Sequence, residues 1–334
     1  QTNKARRRQK RQNRKRKHNN SDAARLFRFI LRELSKHLPH ILIEHRITLA
    51  MLVTGLLRGR SGRLTKIAEK VSYRHKKPSL VSRFQRFVKS SWVNVEAYYV
   101  PLANEILQAV EPGPIVLMID STKMGGRCIC LMVSIYYKKR ALPLAWLCFK
   151  GKKGHSTQAV QIELLKQVKT LLPDDTLVVL VGDGEFDGAD LLNWLKEETD
   201  WQFVCRTNPT TLVHYQDRWM SLTEIVAELE LAPGETGFLS QISFVQSNPV
   251  EKLNIFIAWH QQDQKHIFFV TNCATEAEAK HWYDKRFSIE TCFADFKSRG
   301  LYLHLTRIRT PDRLARLILA ASFAYYLVVL LGIE

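Results

Sequence analysis

Two runs of strand length in this chain are almost wholly aliphatic and then meet an aspartate: "IVLMID", closing on Asp120, and "LVVLVGD", closing on Asp183. A half-exposed strand alternates apolar and polar side chains, whereas an unbroken apolar run belongs to a strand buried on both faces. Such strands require a sheet covered on each side, a layered α/β arrangement. A carboxylate closing one of them lies at the sheet edge where open α/β folds place their sites. A turn or capping aspartate explains either residue alone, but it does not explain two at matching positions.

The other elements narrow the architecture. Residues 22–111 read as an all-helical region, from "AARLFRFILRELSKHL" to "VEAYYVPLANEILQAV". Within it, two short amphipathic helices separated by a polar turn resemble a helix-turn-helix, with Arg83, Arg86 and Lys89 on the second helix facing DNA; an ordinary helical bundle has the same pattern. Residues 112–207 give three strands, a helix, a strand, a helix and a fifth strand. That is the order of an RNase H-like core, a mixed sheet flanked by helices. Residues 208–272 break into short strand-like pieces, expected as a β-rich insertion. Residues 273–334 return to helix, first "TEAEAKHWYDKRFSIETCFADFKSRG" behind a Thr cap and then an apolar terminal run.

Lys and Arg outnumber Asp and Glu by 50 to 32, a net charge of +18 with a pI near 9.7. That excess points to a polyanionic partner. Residues 1–21 form a basic arm in which ten cations lie between Lys4 and Lys17; taking those ten from +18 leaves a body at +8. The arm reads either as a disordered tail or as a non-specific phosphate binder. The six cysteines have no zinc spacing and are expected as reduced, mostly buried thiols, so the chain reads as cytoplasmic. The terminal run "LILAASFAYYLVVLLGI" is short for a membrane span and reads as a helix buried against the sheet, with no membrane partner.

The helix near residue 283 carries the third acid. At about 100° per residue, Tyr283, Arg286, Glu290 and Lys297 fall within about 60° of one another on a regular helix. Trp282, Ile289, Phe293 and Phe296 form the neighbouring apolar face. One carboxylate is thereby flanked by two cations and a phenol. Surface ion pairing accounts for Arg286 and Glu290, four residues apart, but not for the other two. Asp120, Asp183 and Glu290 are all hard oxygen ligands, which suit Mg²⁺ or Mn²⁺ rather than zinc.

The spacing Y-x2-R-x3-E-x6-K, met by Tyr283, Arg286, Glu290 and Lys297 without gaps, resembles the YREK signature of the IS-four family of bacterial insertion-sequence transposases, a cut-and-paste branch of the DDE transposases. The likeness extends over residues from about 45 to 334 and includes the two aspartates in the same order. It implies catalysis by Asp120, Asp183 and Glu290 holding two Mg²⁺ ions, with Mn²⁺ as substitute. Cleavage at terminal inverted repeats of double-stranded DNA would be followed by joining to target DNA. It further implies a homodimeric synaptic complex on the bacterial nucleoid and a hairpin intermediate, with a base flipped onto Trp219, Trp259 or Trp282. Tyr283, Arg286 and Lys297 would hold phosphates. His155, in the loop "KGKKGHS", and Arg206, after the fifth strand, are further phosphate candidates. Two other functions share the same residues: a catalytically silent DNA-binding regulator, and a structure-selective nuclease that cuts without joining.

Overall fold

The computed structural model describes residues 21–71, 76–110, 113–152 and 154–332. Residues 1–20 of the basic arm lie outside them. Among the described residues five helices precede the sheet: α1 (Asp22–His37), α2 (Ile43–Gly59), α3 (Leu64–Lys70), α4 (Lys77–Lys89) and α5 (Val95–Gln108). Ser21 caps α1 by accepting from the Ala24 amide, and Asn94 caps α5 by accepting from Ala97 at 2.9 Å. In α2 every residue from Thr48 to Leu56 is buried, so this helix is the centre of the group rather than one of its faces.

The sheet begins with β1 (Ile115–Lys123), β2 (Cys128–Tyr137) and β3 (Arg140–Lys150), which pair antiparallel. After α6 (Gln158–Lys169) comes β4 (Val178–Gly182), and after α7 (Ala189–Glu198) comes β5 (Gln202–Thr207). β4 pairs parallel with β1 on one side and with β5 on the other, giving the order β3-β2-β1-β4-β5. This is the mixed sheet of an RNase H-like core. Consecutive residues of β1 and β4 are buried, which needs cover on both faces.

Residues 208–272 do not stand apart from this sheet. β6 (Leu212–Tyr215), β7 (Arg218–Ser221), β8 (Gly237–Phe244), β9 (Val250–His260) and β10 (Lys265–Thr271) extend it to ten strands, because β10 pairs antiparallel with the open edge of β5. An unpaired edge exposes a row of backbone donors and acceptors, and β10 satisfies them. The segment also contains α8 (Leu222–Glu228), entered through a reciprocal Ser221–Glu224 capping box.

The helix expected from Thr275 to Gly300 is interrupted twice. α9 (Glu276–Tyr283) ends in a tightened turn where Lys285 and Arg286 donate three residues back, to the carbonyls of Trp282 (3.1 Å) and Tyr283 (2.9 Å). α10 (Phe287–Ala294) follows and then widens into a π-turn over Asp295–Arg299, where the Gly300 amide reaches the Asp295 carbonyl at 3.0 Å. Ile289, Phe293 and Phe296 are buried as the helical wheel requires.

The last helix, α11 (Pro311–Leu331), is long and apolar enough to cross a membrane by length and composition, yet 67% of its most apolar window is buried inside the fold. It packs on β3, α2, α4 and α5, and the indole of Trp146 on β3 donates to its Ala315 carbonyl at 3.2 Å. Tyr99 of α5 sits edge-on to Trp146 at 4.8 Å and donates to the Pro143 carbonyl at 3.0 Å, so the helical region and the sheet share one core. All six cysteines are free; five are buried and Cys148 is half-buried.

Candidate active site

β1 and β4 lie parallel with Ile119 opposite Gly182, so the next residue on each chain, Asp120 or Asp183, comes to a neighbouring position about 5 Å away across the sheet. Asp120 does not end its strand. β1 continues to Lys123, and Asp120 pairs with Met132 of β2 from inside the ladder. The Asp120 carboxylate is therefore buried, at 3% exposure, where an ionised group requires partners. Its Oδ1 accepts from the Ser121 amide at 2.6 Å, and Arg286 Nη1 lies 3.7 Å from its Oδ2. Asp183 is half-buried just past β4, and its Oδ1 accepts from the Glu185 amide at 3.0 Å.

Arg286 also donates through Nη2 to Glu290 Oε1, one turn further along α10. Burial alone would pull the guanidinium's pKa down, but Tyr283, Glu290, Asp120 and Asp183 outweigh it and the net direction is upward. One delocalised cation thus sits within the field of all three acids. Tyr283 packs its ring 4.3 Å from Phe269 of β10, with the Arg286 guanidinium 5.8 Å from the ring centre. Burial raises the Tyr283 phenol above its ordinary pKa, so it remains a donor at neutral pH. Lys297, on the π-turn, donates to Thr122 Oγ1 of β1 at 3.0 Å. The tertiary fold therefore brings Tyr283, Arg286, Glu290 and Lys297 to the aspartates, although the helix carrying them is not straight.

Asp120, Asp183 and Glu290 present oxygen donors only, and that chemistry fits a hard divalent cation. Among the described residues no three His, Cys, Asp or Glu side chains converge as a ready ligand cluster. The cation shared by Asp120 and Glu290 in this structure is the Arg286 guanidinium. The donor set fits the metal, provided that Arg286 yields its place.

Glu185 was missed by sequence reasoning. Its Oε1 accepts from the Ser156 amide at 2.7 Å and the Ser156 hydroxyl at 2.5 Å, while its Oε2 accepts from Ser121 Oγ at 2.6 Å. It ties the loop carrying His155 to β1 beside Asp120, and Gln161 reinforces the tie by donating to Ser156 Oγ at 2.9 Å. The alternating acids of "GDGEFDG" were the available signal. His155 itself is exposed in that loop. Phe287, 67% exposed, follows Arg286 in the sequence and was likewise passed over.

The other candidates lie elsewhere. Arg83 is engaged within the protein rather than presented to solvent: its Nε donates to Thr48 Oγ1 at 2.8 Å and its Nη2 pairs with Glu44, fastening α4 to α2. Arg86 and Lys89 are exposed on α4. Arg206 is the penultimate residue of β5 rather than the residue after it; it is exposed and opposite Phe269. Trp219 is on edge strand β7, six strand positions from β4 or about 29 Å at 4.8 Å per step, too far to serve the aspartates. Trp259 on β9 is edge-on to His266 at 5.0 Å. Trp282 is half-buried, with the Lys285 ammonium 4.1 Å from its ring centre.

A family model described as the transposase DDE domain matches residues 111–327, more than half of the chain. No curated protein matches the chain. Among solved structures, a cryo-EM structure of a piggyBac transposase synaptic complex with hairpin DNA is similar at 13% identity and a TM-score of 0.48. The match covers 85% of this chain and 65% of that one.

Proposed function

The chain belongs to the transposase DDE domain family, and from that premise we propose that it cuts DNA at the ends of a transposable element and joins those ends to target DNA. The observation that carries the reading is the Arg286 guanidinium shared between the buried Asp120 and the exposed Glu290, with Asp183 just past the end of the neighbouring parallel strand β4. Asp120 is the buried member of the set, and a buried carboxylate is costly unless a cation partners it. The YREK spacing supports, as part of this proposal, membership of the IS-four branch.

Asp120, Asp183 and Glu290 would hold two Mg²⁺ ions, or Mn²⁺ in their place, and the bound metal would supply Lewis-acid activation of water and then of a DNA 3′-hydroxyl at the scissile phosphodiester. Arg286, displaced from the carboxylates, would turn its planar fork to a phosphate, for which guanidinium geometry is suited. The protonated Tyr283 phenol and the Lys297 ammonium would donate to neighbouring phosphate oxygens. Glu185 would keep the His155 loop closed against β1. A hairpin intermediate and a dimeric complex of paired ends on the bacterial nucleoid belong to the same proposal. Trp282, on the helix that leads into the site, is the tryptophan best placed for a flipped base.

Incubation with Mg²⁺ and a plasmid bearing the element's ends tests the reading. Cleavage followed by joined products is expected, with Asp120→Asn abolishing both while duplex binding persists. Cleavage without joining would identify a nuclease. Binding without cleavage would identify a regulator.

A further inference from the structure

Two depressions outside the carboxylate site are lined by cations and by no Asp or Glu. The first, about 870 Å³, lies at the end of the β1–β3 hairpins and is lined by Lys123, Arg127, Lys150, Lys152 and Arg309. The second, about 560 Å³, lies between α3, α4 and the segment leading into α11; its cations include Arg63, Lys89, Arg307 and Arg313, and Arg309 again. Arg309 is common to both, so they form one track. Lys123, Arg127, Lys150, Lys152, Arg307 and Arg309 have no ion pair with a carboxylate among the described residues. An unneutralised row of this kind repels itself, and a fold retains it at a cost unless an anion lies along it.

The backbone under the track is built for close approach. The Gly126 amide, in the β1–β2 turn, donates to the Ile308 carbonyl at 3.1 Å, and a Cβ on Gly126 would meet Arg309 Cγ at 2.8 Å. At the other end the Gly62 amide donates to Tyr302 at 3.0 Å, and a Cβ there would meet Leu303 Cα at 2.8 Å. The 302–309 segment is therefore clamped between the sheet and the helical region, with Arg309 held at the junction. Lys123 lies three residues beyond Asp120 on β1, about 10 Å along the strand. That distance is about three base-pair steps measured along the axis of a DNA duplex.

We propose that this track binds the phosphodiester backbone of the DNA duplex flanking the cleaved bond, so that the β1–β3 end and the α3–α4 pair grip one continuous duplex. The assignment rests on the DNA reading above and extends it to residues outside the carboxylate site. Backbone contact carries no base code, so the track supplies affinity and register rather than sequence choice.

The test is the salt dependence of duplex binding by the full chain, for wild type and for Lys150→Ala/Lys152→Ala/Arg309→Ala. Each lost phosphate contact lowers the slope of log K against log salt by about 0.9, so the triple variant is expected to lose about 2.7. Arg309→Lys, which keeps the charge, is expected to hold the wild-type slope. Lys152→Glu, at an exposed loop position, is expected to weaken the binding of duplexes of unrelated sequence by the same factor. Wild-type binding with an unchanged slope in the triple variant would overturn this proposal and leave the transposase reading intact. A wild-type chain that binds no duplex would overturn both.

Discussion

The guanidinium of Arg286 lies 3.7 Å from the carboxylate of Asp120, with both side chains withdrawn from solvent at 15% and 4% exposure. An arginine here competes with any metal for the same oxygens. Arg286→Ala should therefore bind Mn²⁺ more tightly than wild type when DNA is absent, by about tenfold for each 1.4 kcal/mol of competition removed. Titration by calorimetry or by Mn²⁺ paramagnetic resonance measures this. Equal or weaker binding in the variant would show that the guanidinium does not compete.

Asp187 gives a pH signature. Burial raises its pKa, aided by the charge of Asp183 and opposed by a hydrogen bond from Thr207 and by backbone amides. A carboxyl raised on folding is neutral in both states at low pH and costs nothing there. As pH climbs from the ordinary carboxyl value toward the shifted one, the unfolded chain ionises first and stability falls, levelling off once the buried group has ionised too. Asp187→Asn removes that loss. Its melting temperature should exceed wild type at pH 7 and converge with it at pH 3, and a constant offset across that range would count against the buried charge.

Glu185→Ala removes the acceptor for Ser121 and both Ser156 donors. Leaving such donors without a partner costs about 1–3 kcal/mol. The loss should appear locally, as faster hydrogen exchange at residues 154–157, while the β1 ladder keeps its protection. Uniform acceleration across β1 and β4 would mean that Glu185 supports the sheet instead.

Arg83→Ala and Lys89→Ala separate a structural cation from a solvent-facing one on the same helix. Losing the Thr48 and Glu44 partners should lower stability by about 1–2 kcal/mol and leave the salt slope of DNA binding unchanged. Lys89→Ala should do the reverse. Denaturant titration paired with DNA titration reads both, and a flattened slope for Arg83→Ala would place it on the DNA after all.

Much of this architecture was legible because apolar runs report burial directly. β1, β2 and β4 stand where long apolar runs occur, and the buried Ile289, Phe293 and Phe296 follow helical spacing. What local pattern could not carry was tertiary. Nothing in "WYDKRF" marks a helix break, yet the turn tightens there with Tyr283 wedged against Phe269. The pairing of β5 with β10 joins residues more than 60 positions apart, so the extension of the core sheet by 208–272 had no local signal. The Arg83–Glu44 pair spans 39 residues and was likewise invisible. The β6–β7 hairpin turns on Gln216 and Asp217 with φ of 48° and 60°, where a glycine would have announced it. α8 was signalled by Ser221 and Glu224 in capping-box spacing and was overlooked.

The packing of α11 against α2, α4 and α5 has a consequence for synthesis. A ribosome delivers the helical region first, and those helices keep a greasy flank uncovered until some two hundred further residues have emerged. Native closure must wait for α11, which makes the nascent chain a natural client for holding chaperones and leaves a truncated message without a stable product.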